Sequence, residues 1–266
     1  MTLMLCLLLF SSFFLHLDSQ ELNGRKNYID DEGLRQGYWE RKYPNGNIRY
    51  HGTFKNDRPV GELIRYFPGG SKMAIMFFCN DGIRAETQLF YEDGNLAARG
   101  IYIDEKKDSL WEYFSFYDNY LARKETYDMG KKEGVSTAYY PDGQVAESFW
   151  YENDLKNGPW RQYYQNGNLR IEAEFINDQQ HGSFVYYSST GRVEIKGYYK
   201  NNLRHGEWIF YDESGHEVSV INFIEGIPEN EEELIEQQQK MFREIEQMRG
   251  KIPEPDESDF FSPDRR

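Results

Sequence analysis

Cysteine is nearly missing from this chain: among 266 residues, Cys6 lies in an apolar N-terminal stretch and Cys79 stands alone. An internal disulfide is therefore excluded once that stretch is removed, and packing and hydrogen bonds must hold the fold. Clusters of positive charge are missing too. Against 45 Asp and Glu there are 31 Lys and Arg, for a formal net charge of −14. Such a chain is repelled by nucleic-acid phosphates and by anionic lipid surfaces, so neither nucleic acid nor membrane lipid is expected as a partner.

The signatures of common active sites are also absent. The sequence has no G-x-x-x-x-G-K-[ST] loop, no G-x-S-x-G elbow and no H-E-x-x-H pair. Histidines number five, and His16 lies in the apolar stretch while His51 and His216 have no candidate ligands near them in sequence. His181 and His205 resemble a metal pair, but they occupy equivalent places in a repeat. Two strands then separate them by about 9–10 Å, whereas a shared zinc needs both ring nitrogens about 2.1 Å away. Turn chemistry explains them better. Cys79 follows Phe77 and Phe78 in a strand-like run and reads as a packed thiol. No catalytic residue, metal or cofactor is expected, and the chain reads as a non-enzyme. A hydrolase built on some pair of its many carboxylates is the catalytic alternative.

Residues 1–17 contain no Lys, Arg, Asp or Glu, and Asp18-Ser19-Gln20 follows them. This pattern predicts a signal peptide over residues 1–19, cut after the small Ser19. The mature protein is then exported: periplasmic, cell-envelope associated or secreted. A retained anchor is the alternative, although 17 residues are few for a hydrocarbon core of about 30 Å.

What the chain has in quantity is aromatic side chains, 17% of all residues, with 21 Tyr and 18 Phe, a strand-forming composition. They recur. Glycine stands at 37, 61, 134, 158, 182 and 206, with Ala85 and Ser109 filling the gaps, so a unit of 24 residues, once 25, occurs eight times. Nine residues after each start comes a turn glycine, at Gly46, Gly70, Gly94, Gly143, Gly167, Gly191 and Gly215; the fourth copy lacks it. Five after the start lies an aromatic in seven copies, including Tyr66, Tyr163 and Tyr211. The second half of each unit carries another: Phe54, Phe78, Tyr102, Tyr127, Tyr151, Phe175, Tyr199 and Phe223.

Each unit reads as two strands and two turns, with Asn-Gly and Asp-Gly supplying the positive φ of a tight hairpin. In the sixth copy Leu169, Ile171, Ala173 and Phe175 alternate with Arg170, Glu172 and Glu174, one set buried and the other wet. The expected fold is all-β: an elongated, twisted antiparallel meander of about sixteen strands, roughly 75 Å long at about 4.8 Å per strand. Its lead-in spans residues 20–36 and its array residues 37–228.

The pattern G-x-W-x-x-Y-Y-x-x-G-x-L, preceded by a polar residue and His-Gly, resembles the MORN repeat, in the variant found in bacterial YwqK-type antitoxins. The resemblance covers residues 37 to about 226. It implies β-hairpin repeats stacked in one long sheet, with binding roles from protein scaffolding to lipid contact, and a place in a toxin-antitoxin system. The positions it matches are the structural glycines and aromatics.

After Gly226-Ile227-Pro228, the spacing of Ile235, Phe242, Ile245 and Met248 predicts an amphipathic helix over 229–251. Asn230 and Glu233 suit its start, and Gly250 with Pro253 its end. Such a helix either caps the open edge of the array or recruits a partner. Residues 252–266, rich in Pro and acids, are expected to be disordered.

Trp39, Trp111, Trp160 and Trp208 sit two residues after a unit start, and the Tyr set sits at five, so the two sets fall on opposite faces. They are either the sheet's own core or a ligand-facing stripe to which Trp111, Trp160 and Trp208 would contribute. The third and fourth units are irregular: Thr87 replaces Trp, and Tyr117-Asp118-Asn119-Tyr120 replaces the glycine turn, leaving Asn119 or Asp118 to supply any positive φ. A bend, an interruption for function or simple divergence of the repeat accounts for them. If the cause is function, Trp111, Phe116, Tyr117 and Tyr120 are the densest aromatic patch. The reading that follows is a scaffold binding a protein along its sheet. A polysaccharide or cell-envelope module and an antitoxin-like inhibitor are the alternatives. The charge balance gives a first test: anionic liposomes should fail to pellet the protein at low salt, and salt-sensitive pelleting would refute it.

Overall fold

The computed structural model describes residues 25–79, 82–229 and 242–243. The expected leader (1–19) and tail (252–266) lie outside them, as does the expected helix over 229–251 apart from Glu229, Phe242 and Arg243. The described chain is all-β. Nineteen strands, from β1 (Tyr28–Ile29) to β19 (Ile227–Pro228), form one antiparallel meander in which strands hydrogen-bond their neighbours in sequence. β1, β19 and β10 (Lys131–Lys132) are two-residue pieces, and β10 with β11 (Gly134–Tyr139) makes one strand interrupted at Glu133. Sixteen long strands remain, two per unit.

Two kinds of turn alternate, and the residues choose between them. Between β2 (Arg35–Lys42) and β3 (Ile48–Lys55), Tyr43 N donates to Asn47 O at 2.8 Å and Gly46 N to Tyr43 O at 2.9 Å. Only Gly46 is left-handed there, at φ 90°. The Asn45 side chain instead accepts from Asn47 N at 3.1 Å, and the ladder shifts register beside Lys42. This is a type I turn closed by a glycine bulge. The true two-residue turns lie at the other edge, where Asn56-Asp57, Asn153-Asp154, Asn177-Asp178 and Asn201-Asn202 place both central residues at φ between 49° and 71°. Short polar side chains tolerate that region best after glycine. In the fourth unit Asn119 takes φ 51°, supplying the positive φ in place of the missing glycine.

The residue that starts each unit is a bulge rather than a turn. Gly61, Gly158, Gly182 and Gly206 have φ of 68°, 131°, 104° and 67° within their strands. Beside them the register slips, as between Ala173 and Phe175 where β14 (Leu169–Ile176) meets β15 (Gln179–Tyr187). Where the start is Ala85 the bulge vanishes. β5 (Lys72–Cys79) and β6 (Arg84–Phe90) pair without a slip from Ala74 opposite Leu89 to Cys79 opposite Arg84. Ser109 keeps the left-handed conformation at φ 59° without being glycine. Through these irregular units the pairing continues, from β6 to β7 (Leu96–Ile103), β8 (Lys106–Phe114) and β9 (Leu121–Asp128).

One face of the sheet is buried. In β13 (Leu155–Tyr163), Trp160 and Gln162 are buried opposite Ala173 and Ile171, while Arg161 pairs with Glu172 on the other face at 2.9 Å. Tyr163 falls on that other face, as parity predicts. One assignment needs correction. The register slips between Gln162 and Tyr163, so Leu169 lies opposite Tyr163 instead of sharing a face with Ile171, and Arg170 becomes the extra, buried residue.

A one-layer sheet buries rings by laying them on its own backbone. A Cβ on Gly197 would lie 2.3 Å from Trp208 Cδ2, and one on Gly100 2.4 Å from Trp111 Cδ2, so each indole needs the bare glycine beneath it. Adjacent units are also stitched at both edges. Tyr43, Tyr91, Tyr140 and Tyr164 donate their hydroxyls to the carbonyls of Tyr66, Phe114, Tyr163 and Tyr187 at 2.7–2.8 Å. Asp57, Asp154, Asp178 and Asn202 donate backbone N–H to Arg35, Lys132, Lys156 and Gln180 at 2.9–3.1 Å. Ser109 supplies the test of the bulge. Ser109→Gly should raise stability by about 0.5–1 kcal/mol, since strain relief of about 1–2 kcal/mol outweighs the added chain entropy; a urea midpoint at or below that of the parent would refute this.

Candidate functional site

Two residues before each unit start lies a position that the repeat arithmetic did not single out: Arg35, Pro59, Ile83, Lys107, Lys132, Lys156, Gln180 and Arg204. Its five cations all lie over rings of the aromatic face. Arg35 is 4.3 Å from the Phe54 centroid, Lys132 5.3 Å from Tyr151 and Lys156 3.9 Å from Phe149. Lys107 sits 5.2–5.3 Å from Trp111, Tyr113 and Tyr127. Arg204 lies 4.9 Å from Trp208 and 5.2 Å from Phe223. A cation held over a ring face is worth about 0.5–2 kcal/mol, so the row closes over a face that no second sheet covers. The signal was present in the sequence as a basic residue recurring two before the start glycine.

The face changes character at the fourth unit. Glu125 stands opposite Trp111, at the register position that holds Gly52 opposite Trp39 and Ala173 opposite Trp160. Only 4% exposed, it accepts from Lys132 Nζ at 2.7 Å and Tyr127 Oη at 2.5 Å, with Arg123 at 3.5 Å. Tyr127 Oη meets Tyr113 Oη at 3.1 Å, and Lys107 Nζ donates to Tyr113 Oη at 3.0 Å. Burial alone would raise the Glu125 pKa, but the charge and hydrogen bond of Lys132, with help from Tyr127 and Arg123, outweigh it and hold the carboxyl below its usual range. Burial, then the Glu125 charge, push the Tyr127 phenol well above its ordinary value. Both shifts lead away from neutrality, where an acid–base catalyst works best.

The expected ligand-facing aromatics do not come together. Trp111 and Trp208 are fully buried and Trp160 is 3% exposed, so these rings are core and are not offered to a ligand. Phe116 and Tyr117 are exposed, Tyr117 to 88%, with Phe116 packed edge-on against Tyr91 at 4.9 Å. Tyr120 lines a separate open cleft of about 310 Å³ with Leu121, Lys124, Tyr139, Tyr140 and Asp142. Of the repeat positions, Phe54, Phe175 and Tyr127 are buried, and Tyr151 and Tyr199 are half-buried on the same face. His181 Nδ1 contacts the turn residue Asn201 at 3.1 Å. Cys79 Sγ lies 3.6 Å from the Arg84 guanidinium. Among the described residues no group of three or more His, Cys, Asp or Glu is placed to hold a metal.

The opposite face carries exposed apolar side chains at alternating strand positions: Tyr38, Phe77, Leu110, Val135, Trp150 and Tyr198. Val135 and Trp150 stand directly opposite each other in β11 and β12 (Val145–Glu152). Trp150 is the one tryptophan of the array outside the buried set, since its neighbour Phe149 takes the inward place and stacks on Trp160 at 5.6 Å.

Five segments, residues 35–56, 132–153, 156–177, 180–201 and 204–224, match the profile of the MORN repeat variant family. Each match begins at the position two before a unit start, and the units starting with Gly61, Ala85 and Ser109 are not among them. Five of the eight units are thus similar to the MORN repeat variant. No curated protein matches the chain.

The Glu125 network predicts a pH-dependent contribution. Glu125→Ala should cost about 3 kcal/mol, the lower end for a broken buried pair because Lys132 retains some solvent. Since the folded-state pKa is depressed, the contribution is whole above the unfolded value of about 4.3 and fades as pH falls through the lower folded value. Urea midpoints of parent and variant should therefore differ at pH 7 and converge toward pH 2; a constant gap would refute the assignment.

Proposed function

We propose that the chain is a non-enzymatic, exported repeat scaffold that binds another protein along the open face of its sheet. The observation that carries the proposal is the asymmetry of the faces. The aromatic face is closed by its own rings and cations, whereas the open face keeps Phe77, Val135, Trp150 and Tyr198 in solvent at 40–56% exposure. Exposed apolar side chains grouped between charged neighbours are what protein-binding surfaces have in common. Tyr117, 88% exposed at the long fourth-unit turn, offers a further aromatic side chain in solvent. MORN-variant repeats in five segments suit a scaffold role. The YwqK-type antitoxin resemblance gives the proposal one specific form, in which the bound protein is a toxin and binding inhibits it.

Residues 20–266, used as bait on the exported fraction of the source cells, should retain a defined protein. Val135→Ser with Trp150→Ser should weaken retention at least tenfold with an unchanged circular dichroism spectrum, and Tyr117→Ser with Tyr120→Ser should do the same. Undiminished retention by both variants would overturn the proposal. Binding of purified cell-wall polysaccharide in place of protein would replace it with the envelope-module reading.

A further inference from the structure

The tyrosine that stitches one unit to the next has a fixed place, six residues after its unit start, and its hydroxyl donates to the carbonyl five residues after the following start. Tyr43, Tyr91, Tyr140 and Tyr164 all make this contact, at 2.7–2.8 Å. In the fourth unit Ser115 holds the place instead. Its Oγ is engaged within its own turn, accepting from Asp118 N at 3.4 Å. The carbonyl that a tyrosine there would reach is that of Tyr139, to which no side chain among the described residues donates. A stitch at this point would run from the end of β8, past Leu121 at the start of β9, to Tyr139 at the end of β11. On that route lies the open cleft of about 310 Å³, with Tyr120, Leu121, Tyr139 and Tyr140 in its wall. The cleft thus stands where other units put a phenol ring. Of the other departures from tyrosine, Phe67 keeps a ring and Ser188 is buried.

We propose that this cleft is a binding site for a tyrosine side chain of a bound protein, its ring against Tyr120 and Tyr140 and its hydroxyl donating to the Tyr139 carbonyl. Four of the chain's own tyrosines make the same contact between other units, so the chemistry that would recognise the ligand is already in use. The cleft is at the low end of ligand pockets, which enclose about 300–1,000 Å³, and takes one ring. Aromatic walls favour edge-on or offset contact with that ring. The charges at the rim are answered within the protein: Lys124 pairs with Glu112 at 3.1 Å, and Asp142 accepts from Gln144 N at 3.0 Å and from Gln165 Nε2 at 3.2 Å. A neutral ligand suits such a rim. A phenylalanine would fill the space but leave the carbonyl without its donor, so the site discriminates by the hydroxyl.

The scaffold reading supplies only the source of the tyrosine, and the cleft is tested without a partner so that the two fail separately. N-acetyl-tyrosine amide, titrated into the full chain, should shift the amide resonances of Leu121, Tyr139 and Tyr140 saturably, and N-acetyl-phenylalanine amide should bind at least fivefold more weakly. Ser115→Tyr rebuilds the stitch, so it should raise the urea midpoint and abolish the saturable shifts. Tyr120→Ala removes one wall without touching the stitch position and should weaken the tyrosine amide at least fivefold. Absence of saturable shifts in the parent, equal affinity for the two amides, or undiminished binding by both variants would overturn the proposal. With the retained protein in place of the amide, Ser115→Tyr should lower retention at least tenfold; full retention by a variant that no longer binds the amide would overturn the assignment to a protein's tyrosine.

Discussion

Among the described residues the sheet is a single layer, with only Phe242 set against it from outside the array, and the rest of the structure answers that constraint. Apolar rings on one face must be taken from water by what the sheet itself supplies. Trp111 and Trp208 lie flat on Gly100 and Gly197, where no Cβ intervenes. Phe149 stacks on Trp160, and Phe184 on Trp208 at 5.4 Å. A Lys or Arg of the tryptophan's own strand, Lys107 beside Trp111 and Arg204 beside Trp208, then spreads over the rings, its methylenes covering carbon and its charge reaching water. Burial of this kind depends on registry between strands to within one residue, because a slip by one turns every ring to the other face.

The left-handed glycines keep that registry. Each start glycine absorbs a bulge between one unit and the next, and the turn glycine absorbs another between the two strands of a unit. Two bulges per unit add local twist at a fixed interval, so the strands turn progressively instead of extending as a flat ribbon. The tyrosine hydroxyls and Asx turns then join each unit to the next along both edges, beyond the strand ladder itself. Stability of this kind is shared between neighbours and accumulates along the array.

How much of this could be read from the residues follows from which interactions have a period. Strand number, the two turns per unit and the opposite faces of Trp160 and Tyr163 follow from spacing alone; for the fourth turn the spacing leaves Asn119 or Asp118 as the left-handed residue, and Asn119 takes it. The start-glycine bulges did not show, because glycine at a turn and glycine within a strand look alike in sequence; the placement of Leu169 failed because the Gly167 turn closes with a bulge of its own. Nor did the cation row stand out, since Pro59, Ile83 and Gln180 interrupt it. Trp111, Trp160 and Trp208 were read as either core or ligand stripe, and only the depth of their burial decides that they are core. The Glu125 network breaks the period, so periodic reasoning had no means of finding it.

Net charge shows the same limit from another side. At −14 overall the chain repels anions on average, yet its aromatic face is crossed by a row of cations, each engaged with a ring. Many acids stand at the turns, as Asp57, Asp154 and Asp178 do, and others on the open face, as Glu172 does, so much of the charge that dominates the composition stands apart from the charge that holds the core. That separation is a consequence of the fold: a carboxylate over an aromatic ring is repelled by the negative face of the π-system, whereas a cation is attracted to it. Glu147, accepting from the Trp160 indole, and Glu125 stand on the aromatic face, and Glu125 is placed there with Lys132, Arg123 and Tyr127 around it, because a carboxylate so deeply buried is tolerated only when paired and hydrogen-bonded.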